Sequence, residues 1–183
     1  MKLVITLLIL TLLSKVNYAN IGEVTGLEIP RYVSLKSNDA NIRVGPSKNY
    51  PIVIKYIRKN YPLKVIEEYG DWRKIEDFKK NIGWVHKSLI SGDRTGIVIS
   101  KDNTKSISIF NTIDGKIIGT IGIGNIIKLN KCKINWCLIE INNYKGWVTK
   151  RNIWGVREKE IIKINFYQKI EDFYWWSINA LGR

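Results

Sequence analysis

Asp71-Trp72-Arg73-Lys74-Ile75-Glu76-Asp77, followed by Ile82-Gly83-Trp84-Val85-His86, reads as two short strands joined by a charged loop. A shorter version returns as Asn135-Trp136-Cys137-Leu138-Ile139-Glu140 with Lys145-Gly146-Trp147-Val148-Thr149. A Trp-bearing strand, a loop and Gly-Trp-Val, occurring twice in the same order, mark a duplicated module. Within 183 residues each copy is a small unit of about 60 residues with a thin core. Seven Trp and nine Tyr supply the large buried area per residue that so small a core needs.

Upstream of the first hairpin the pattern stays extended. Gly70-Asp71 is a two-residue turn of the kind that matches strand twist. Leu63 to Tyr69 and Pro51 to Ile57 read as strands separated by a charged turn at Arg58-Lys59-Asn60. In Ala40 to Pro46, Ile42 and Val44 point one way and Asn41 and Arg43 the other, until Gly45-Pro46 stops the strand. Arg31 to Lys36 alternates like a half-buried strand, and Lys87-Ser88-Leu89 suits a final helical turn. Five short strands with no long helix predict a small closed or nearly closed β-barrel. The second module runs through Gly96 to Ile99, Ser106 to Phe110, Lys116 to Ile121, Ile126 to Cys132 and Trp136 to Ile141. It closes at Ile153-Trp154-Gly155-Val156.

Asn41-Ile42-Arg43-Val44-Gly45-Pro46, Tyr50-Pro51-Ile52, Gly70-Asp71-Trp72-Arg73-Lys74-Ile75 and Gly83-Trp84-Val85, in that order, closely resemble the bacterial SH3 (SH3b) domain family over nearly all of residues 32 to 90. The resemblance implies an SH3-like barrel, a recognition module of cell-envelope proteins, often for peptidoglycan or its peptides. The expected fold class is all-β, with a linker at 20–30 and two tandem SH3-like barrels at 31–91 and 95–156. In the second module Ser108-Ile109-Phe110-Asn111 stands where the Arg-Val-Gly-Pro loop belongs, so an arginine-dependent ligand contact is expected in the first barrel only.

Both ends read differently. Lys2, the apolar run Leu3 to Leu13 and the small Ala19 predict a secretory signal peptide at 1–19, too short to serve as a membrane span, and hence a periplasmic or secreted chain. In 157–183, Phe166, Ile170, Phe173, Tyr174, Ile178 and Leu181 recur at helical spacing, and Trp175 and Trp176 widen the apolar side. That predicts an amphipathic helix, which either docks on a barrel or meets a membrane surface or protein partner.

Superposing the two hairpins on Trp72 and Trp136 places Cys132 and Cys137 on the positions of Glu68 and Arg73. With a two-residue turn at Ile134-Asn135, Cys132 faces Cys137 as a non-hydrogen-bonded pair, close enough for a disulfide. In an exported chain that pairing is the expected one. Catalysis is not expected. His86 is the single histidine and lies in the other module from Cys137. Glu67 with Glu68, and Glu76 with Asp77, alternate in direction along their strands, and no second ligand pair exists for zinc. No metal or cofactor is expected either.

What remains is binding. The formal charge of +14 favours polyanionic surroundings, although a chain rich in Ile, Lys and Asn also follows from AT-rich codons. Arg43, Tyr50, Tyr61, Trp72 and Trp84 are the candidate ligand residues, because aromatic faces stack on sugar rings or peptide backbone and arginine pairs with carboxylates. Trp84 and Trp147 also suit a structural role, each covering an open barrel end behind a glycine. Alternation places Trp72 outward if Ile75 is core. The expected function is a non-enzymatic cell-envelope binding protein that recognises peptidoglycan or another anionic envelope polymer. The alternative is an envelope interaction or scaffold subunit that docks on a protein partner through its aromatic tail. Nucleic acid is not an expected partner.

Overall fold

The computed structural model describes residues 20–163. The signal segment at 1–19 and residues 164–183, which carry nearly all of the expected amphipathic helix, lie outside the described residues. The strands in chain order are β1 (Asn20–Ile21), β2 (Glu28–Ile29), β3 (Arg31–Leu35), β4 (Ala40–Arg43), β5 (Ile52–Tyr56), β6 (Pro62–Tyr69), β7 (Trp72–Glu76), β8 (Ile82–His86) and β9 (Ile90–Ser91). They continue as β10 (Thr95–Val98), β11 (Ser106–Phe110), β12 (Ile117–Gly122), β13 (Ile126–Cys132), β14 (Trp136–Ile141), β15 (Tyr144–Thr149) and β16 (Ile153–Trp154). Single 3-10 turns at Lys87–Leu89 and Lys150–Asn152 are the helical segments of the described residues.

The duplication is visible in the topology. One seven-stranded sheet runs β5-β4-β8-β7-β6-β3-β9 and the other β12-β11-β15-β14-β13-β10-β16, the same order twice. Both long hairpins close with two-residue turns, giving Tyr69 opposite Trp72 and Cys132 opposite Cys137. Each carries a register shift at the matching place, between Val65 and Glu67 and between Leu129 and Lys131. Such a bulge sharpens the local bend, which a short strand needs in order to curl around a small core. The first core is built on Leu35, Ile42, Leu63, Val65, Ile75 and Val85, and the second on Val98, Ile127, Leu129, Ile139 and Val148 together with the cysteine pair.

Strand alternation fails at one informative place. Val33, Ser34 and Leu35 are all buried, because the outer face of β3 meets the second barrel instead of water. The Ser34 hydroxyl lies 2.6 Å from the Thr95 hydroxyl and donates to the Asp93 carbonyl at 2.7 Å, while Thr95 donates to the Asn60 carbonyl at 2.8 Å. Trp154 packs edge-on against Tyr32 and Phe78 of the first barrel, with centroids 5.3 and 5.9 Å away. The barrels are therefore in direct contact, as the short connection between β9 and β10 requires.

Residues 20–30 do more than link. β1 and β2 pair antiparallel, and the turn between them lies over the first barrel, held by Glu68. The Glu68 carboxylate accepts hydrogen bonds from the Val24 and Thr25 amides, the Thr25 hydroxyl at 2.7 Å and Arg31 Nη2 at 2.7 Å, with Arg73 Nε at 3.4 Å. The segment's composition looks like a linker because its anchor, a single buried carboxylate, lies more than forty positions away.

Candidate functional site

Cross-strand register assembles one outward face on the first barrel. Arg43 of β4 stands opposite Trp84 of β8, which stands opposite Lys74 of β7, which in turn stands opposite Glu67 of β6. Two residues further along, Trp72 stands opposite His86. Residues on adjacent strands at matching positions share a face, so the face presents Arg43, Trp84, Lys74, Trp72 and His86. The Lys74 ammonium lies 5.7 Å from the Trp84 ring centroid and bonds Glu67 at 2.8 Å. Trp72 meets His86 edge-on at 5.4 Å. Arg43 Nη1 donates to the Tyr50 carbonyl at 2.6 Å, fixing the loop, and Tyr50 itself is 46% exposed. The Tyr50 ring packs against Gly45, where an added Cβ would stand 2.7 Å from its carbons and displace it.

Of the five sequence candidates, Arg43, Tyr50, Trp72 and Trp84 come together here. Trp84 is 7% exposed, so most of its ring is covered and it serves as the floor of the face rather than its contact surface. Tyr61 sits elsewhere: it packs on the first core with its ring 4.9 Å from Tyr56, whose hydroxyl donates to Asp77 at 2.7 Å. Sequence reasoning passed over Lys74 and His86. The signal was present, since both share strand parity with the two tryptophans across a tight hairpin.

The second barrel carries the corresponding face with other side chains at the three cation positions, while its own Lys133 ammonium lies 5.9 Å from the Trp147 ring centroid. Phe110 stands opposite Trp147, Leu138 lies across from Trp147 and Thr149 faces Trp136. Arg43, Lys74 and His86 are thus replaced by Phe110, Leu138 and Thr149. The arginine position is taken by Phe110 itself, two places later than the sequence alignment of the loop suggests, and its ring meets Trp136 edge-on at 5.3 Å.

Cys132 and Cys137 form the expected disulfide, with Cα atoms 4.1 Å apart and both residues fully buried in the second core. Where Glu68 holds Arg31 in the first barrel, Cys132 leaves the matching Arg94 without that partner. Arg94 instead bonds Glu160, and the strand edge at Cys132 pairs with Ile162 through Cys132 N to Ile162 O at 2.9 Å. Residues 158–162 therefore cover the second barrel as residues 22–25 cover the first. Arg157 ties the two flanks together by an ion pair to Glu28 at 2.8 Å. Among the described residues no group of three or more His, Cys, Asp or Glu is placed to hold a metal, and no helix is long and apolar enough to cross a membrane.

No curated protein matches the chain. Among solved structures it is similar to an NlpC/P60 family protein from Bacillus cereus, at 12% identity and a TM-score of 0.29, covering 72% of this chain and 58% of that one. It is also similar to NlpC1 from Trichomonas vaginalis, at 10% identity and a TM-score of 0.31, covering 79% of this chain and 52% of that one. The chain thus spans somewhat over half the length of each. The sequence model described as "Bacterial SH3 domain" matches residues 36–92 and 114–155, more than half of the chain and one stretch in each barrel. Two sheets of identical strand order, each matched by that model, place this chain in the bacterial SH3 domain family.

Proposed function

We propose that the chain is a non-enzymatic, extracytoplasmic binding protein of the cell envelope, and that its first barrel engages peptidoglycan or another anionic envelope polymer. The observation that carries this reading is the row Arg43, Trp84, Lys74 with Trp72 and His86 beside it, which joins aromatic surface to cations on one face. Such a face suits a polymer that offers sugar rings or peptide backbone for stacking and carboxylates for pairing. The buried disulfide suits an oxidising compartment outside the cytoplasm.

Retention of the purified chain on isolated cell-wall sacculi tests the proposal. Binding is expected at low salt and should fall as salt rises, because exposed cations are screened over about 10 Å at 0.1 M. Arg43→Gln combined with Lys74→Gln should weaken retention by roughly tenfold, the scale of one or two charge-assisted hydrogen bonds. No retention at low salt, or retention unaffected by the double substitution, overturns the assignment of this face.

A further inference from the structure

A second aromatic and cationic concavity lies where the barrels meet. It encloses about 440 Å³, within the usual size of small-ligand sites. Tyr32 of the first barrel and Trp136 and Trp154 of the second form its aromatic lining, and Lys101, Lys150 and Arg151 bring cations to it.

Comparison of the two barrels shows why this charge is available. At the hairpin turn of the first barrel, Asp71 binds Lys87 at 2.8 Å, and the Lys87 amide bonds the Asp71 carbonyl. The second barrel keeps that backbone bond, from the Lys150 amide to the Asn135 carbonyl, but the aspartate has become asparagine. Lys150 is buried, and its partners among the described residues are carbonyls: its Nζ donates to the Glu158 and Glu160 carbonyls at 3.1 and 2.7 Å. Lys101 has no ion-pair partner among the described residues, and Arg151 has Asp102 at 3.2 Å, with both side chains more than half exposed. An exposed pair of this kind is worth little and exchanges readily for a better anion. Among the described residues, Glu158 is the one carboxylate that lines the pocket itself. Cations therefore outnumber acids.

We propose that this inter-barrel pocket is a binding site for an acidic sugar, the ring stacking on Trp136 or Trp154 and the carboxylate meeting Lys101 and Arg151. The half-buried indoles supply aromatic surface to the lining, and the exposed side-chain amide of Asn135 offers both a donor and an acceptor for hydroxyl groups. A purely apolar ligand would leave Lys101 without an anion, and a simple inorganic anion would leave the aromatic lining unused. The inference agrees with envelope binding but rests on different residues from the first-barrel face.

The test is a titration of the full chain, followed by the indole N–H signals of its tryptophans in nuclear magnetic resonance, with Trp136→Phe and Trp154→Phe used to assign them. The probes are N-acetylmuramic acid, which carries a carboxylate, and N-acetylglucosamine, which does not. The acid should move the Trp136 and Trp154 signals saturably and bind about tenfold more tightly than the neutral sugar, the scale of a charged hydrogen bond. Lys101→Gln with Arg151→Gln, both exposed positions where folding is not at stake, should remove that preference. Equal response to both sugars, or unmoved indoles at roughly ten millimolar sugar, overturns the proposal. Failure of the first-barrel reading has a different signature: sacculus retention is absent while the sugar titration survives.

Discussion

At the scale of single residues, Glu68 is the clearest case of a side chain whose neighbours reverse its chemistry. Burial by itself would raise its pKa. The Thr25 hydroxyl and amide, the Arg31 guanidinium and the Val24 amide outweigh that and hold it at about 2, below its ordinary 4.5. A carboxylate whose folded pKa is depressed stabilises the fold above its unfolded value and loses that contribution as pH falls toward the folded one. The window here lies between about 4.5 and 2, and a shift of this size corresponds to about 3 kcal/mol. Urea unfolding at pH 7 and pH 3 should show about 2 kcal/mol of that loss in the native chain, the part that falls between pH 4.5 and pH 3. Glu68→Gln should flatten the dependence and cost about 3 kcal/mol at pH 7, because Arg31 and Arg73 are left side by side without their counter-ion. An unchanged urea midpoint in the variant would show that the cluster contributes no net stability. The cross-strand pairing of Glu68 with Arg73 was readable from the hairpin register. Its role as anchor for Val24 and Thr25 was not, since a contact between two polar segments leaves no periodicity to read.

Among elements, the two Gly-Trp-Val strands show why a motif that the sequence marks plainly need not explain itself. A glycine before tryptophan suggests a bend, yet the structure assigns it a different task. β8 crosses β4 so closely that a Cβ on Gly83 would run into Ile42 Cγ2 and stand 2.9 Å from the Arg43 carbonyl. β15 meets β11 in the same way, with Gly146 against Ile109 and 3.1 Å from the Phe110 carbonyl. The strands share a single paired position in each barrel, Arg43 with Trp84 and Phe110 with Trp147. Gly83→Ala and Gly146→Ala should each destabilise by about 1 to 3 kcal/mol, the usual cost of forcing extra carbon into a packed contact. Gly92→Ala, with open space around its Cβ, serves as the control in thermal unfolding. Gly83→Ala also bears on the candidate face, because pushing β4 from β8 separates Arg43 from Trp84. That face was legible as far as alternation reaches: Arg43, Trp72 and Trp84 follow from strand parity, whereas the placement of Tyr61 on the core depended on how the loop after β5 folds back, which parity does not report.

For the whole molecule, the question is whether two barrels of near-identical topology unfold as one body. Each is small enough that its own core supplies little stability, so an added interface counts heavily. The interface is small and mixed: the Ser34 and Thr95 hydroxyl chain, Trp154 between Tyr32 and Phe78, and Arg94 with its guanidinium carbon 5.9 Å from the Tyr32 ring centroid. The sequence hid it because Ser34 and Thr95 occupy outward positions on alternating strands, and a polar residue there reads the same whether it meets water or a second barrel. Trp154 is the residue to remove, since its ring meets both Tyr32 and Phe78 across the junction and lies on the short edge strand β16. The native chain should melt in one calorimetric transition. Trp154→Ala, at a cost of about 3 kcal/mol for loss of a packed aromatic, should resolve two transitions. The upper one is expected to be the second barrel, whose hairpin is cross-linked, and addition of a reductant should lower it alone. A single transition that merely shifts downward would mean that the remaining polar contacts suffice to couple the barrels. Two transitions already present in the native chain would mean that the interface positions the barrels without stabilising either, and the inter-barrel pocket would then be formed by two bodies that fold independently.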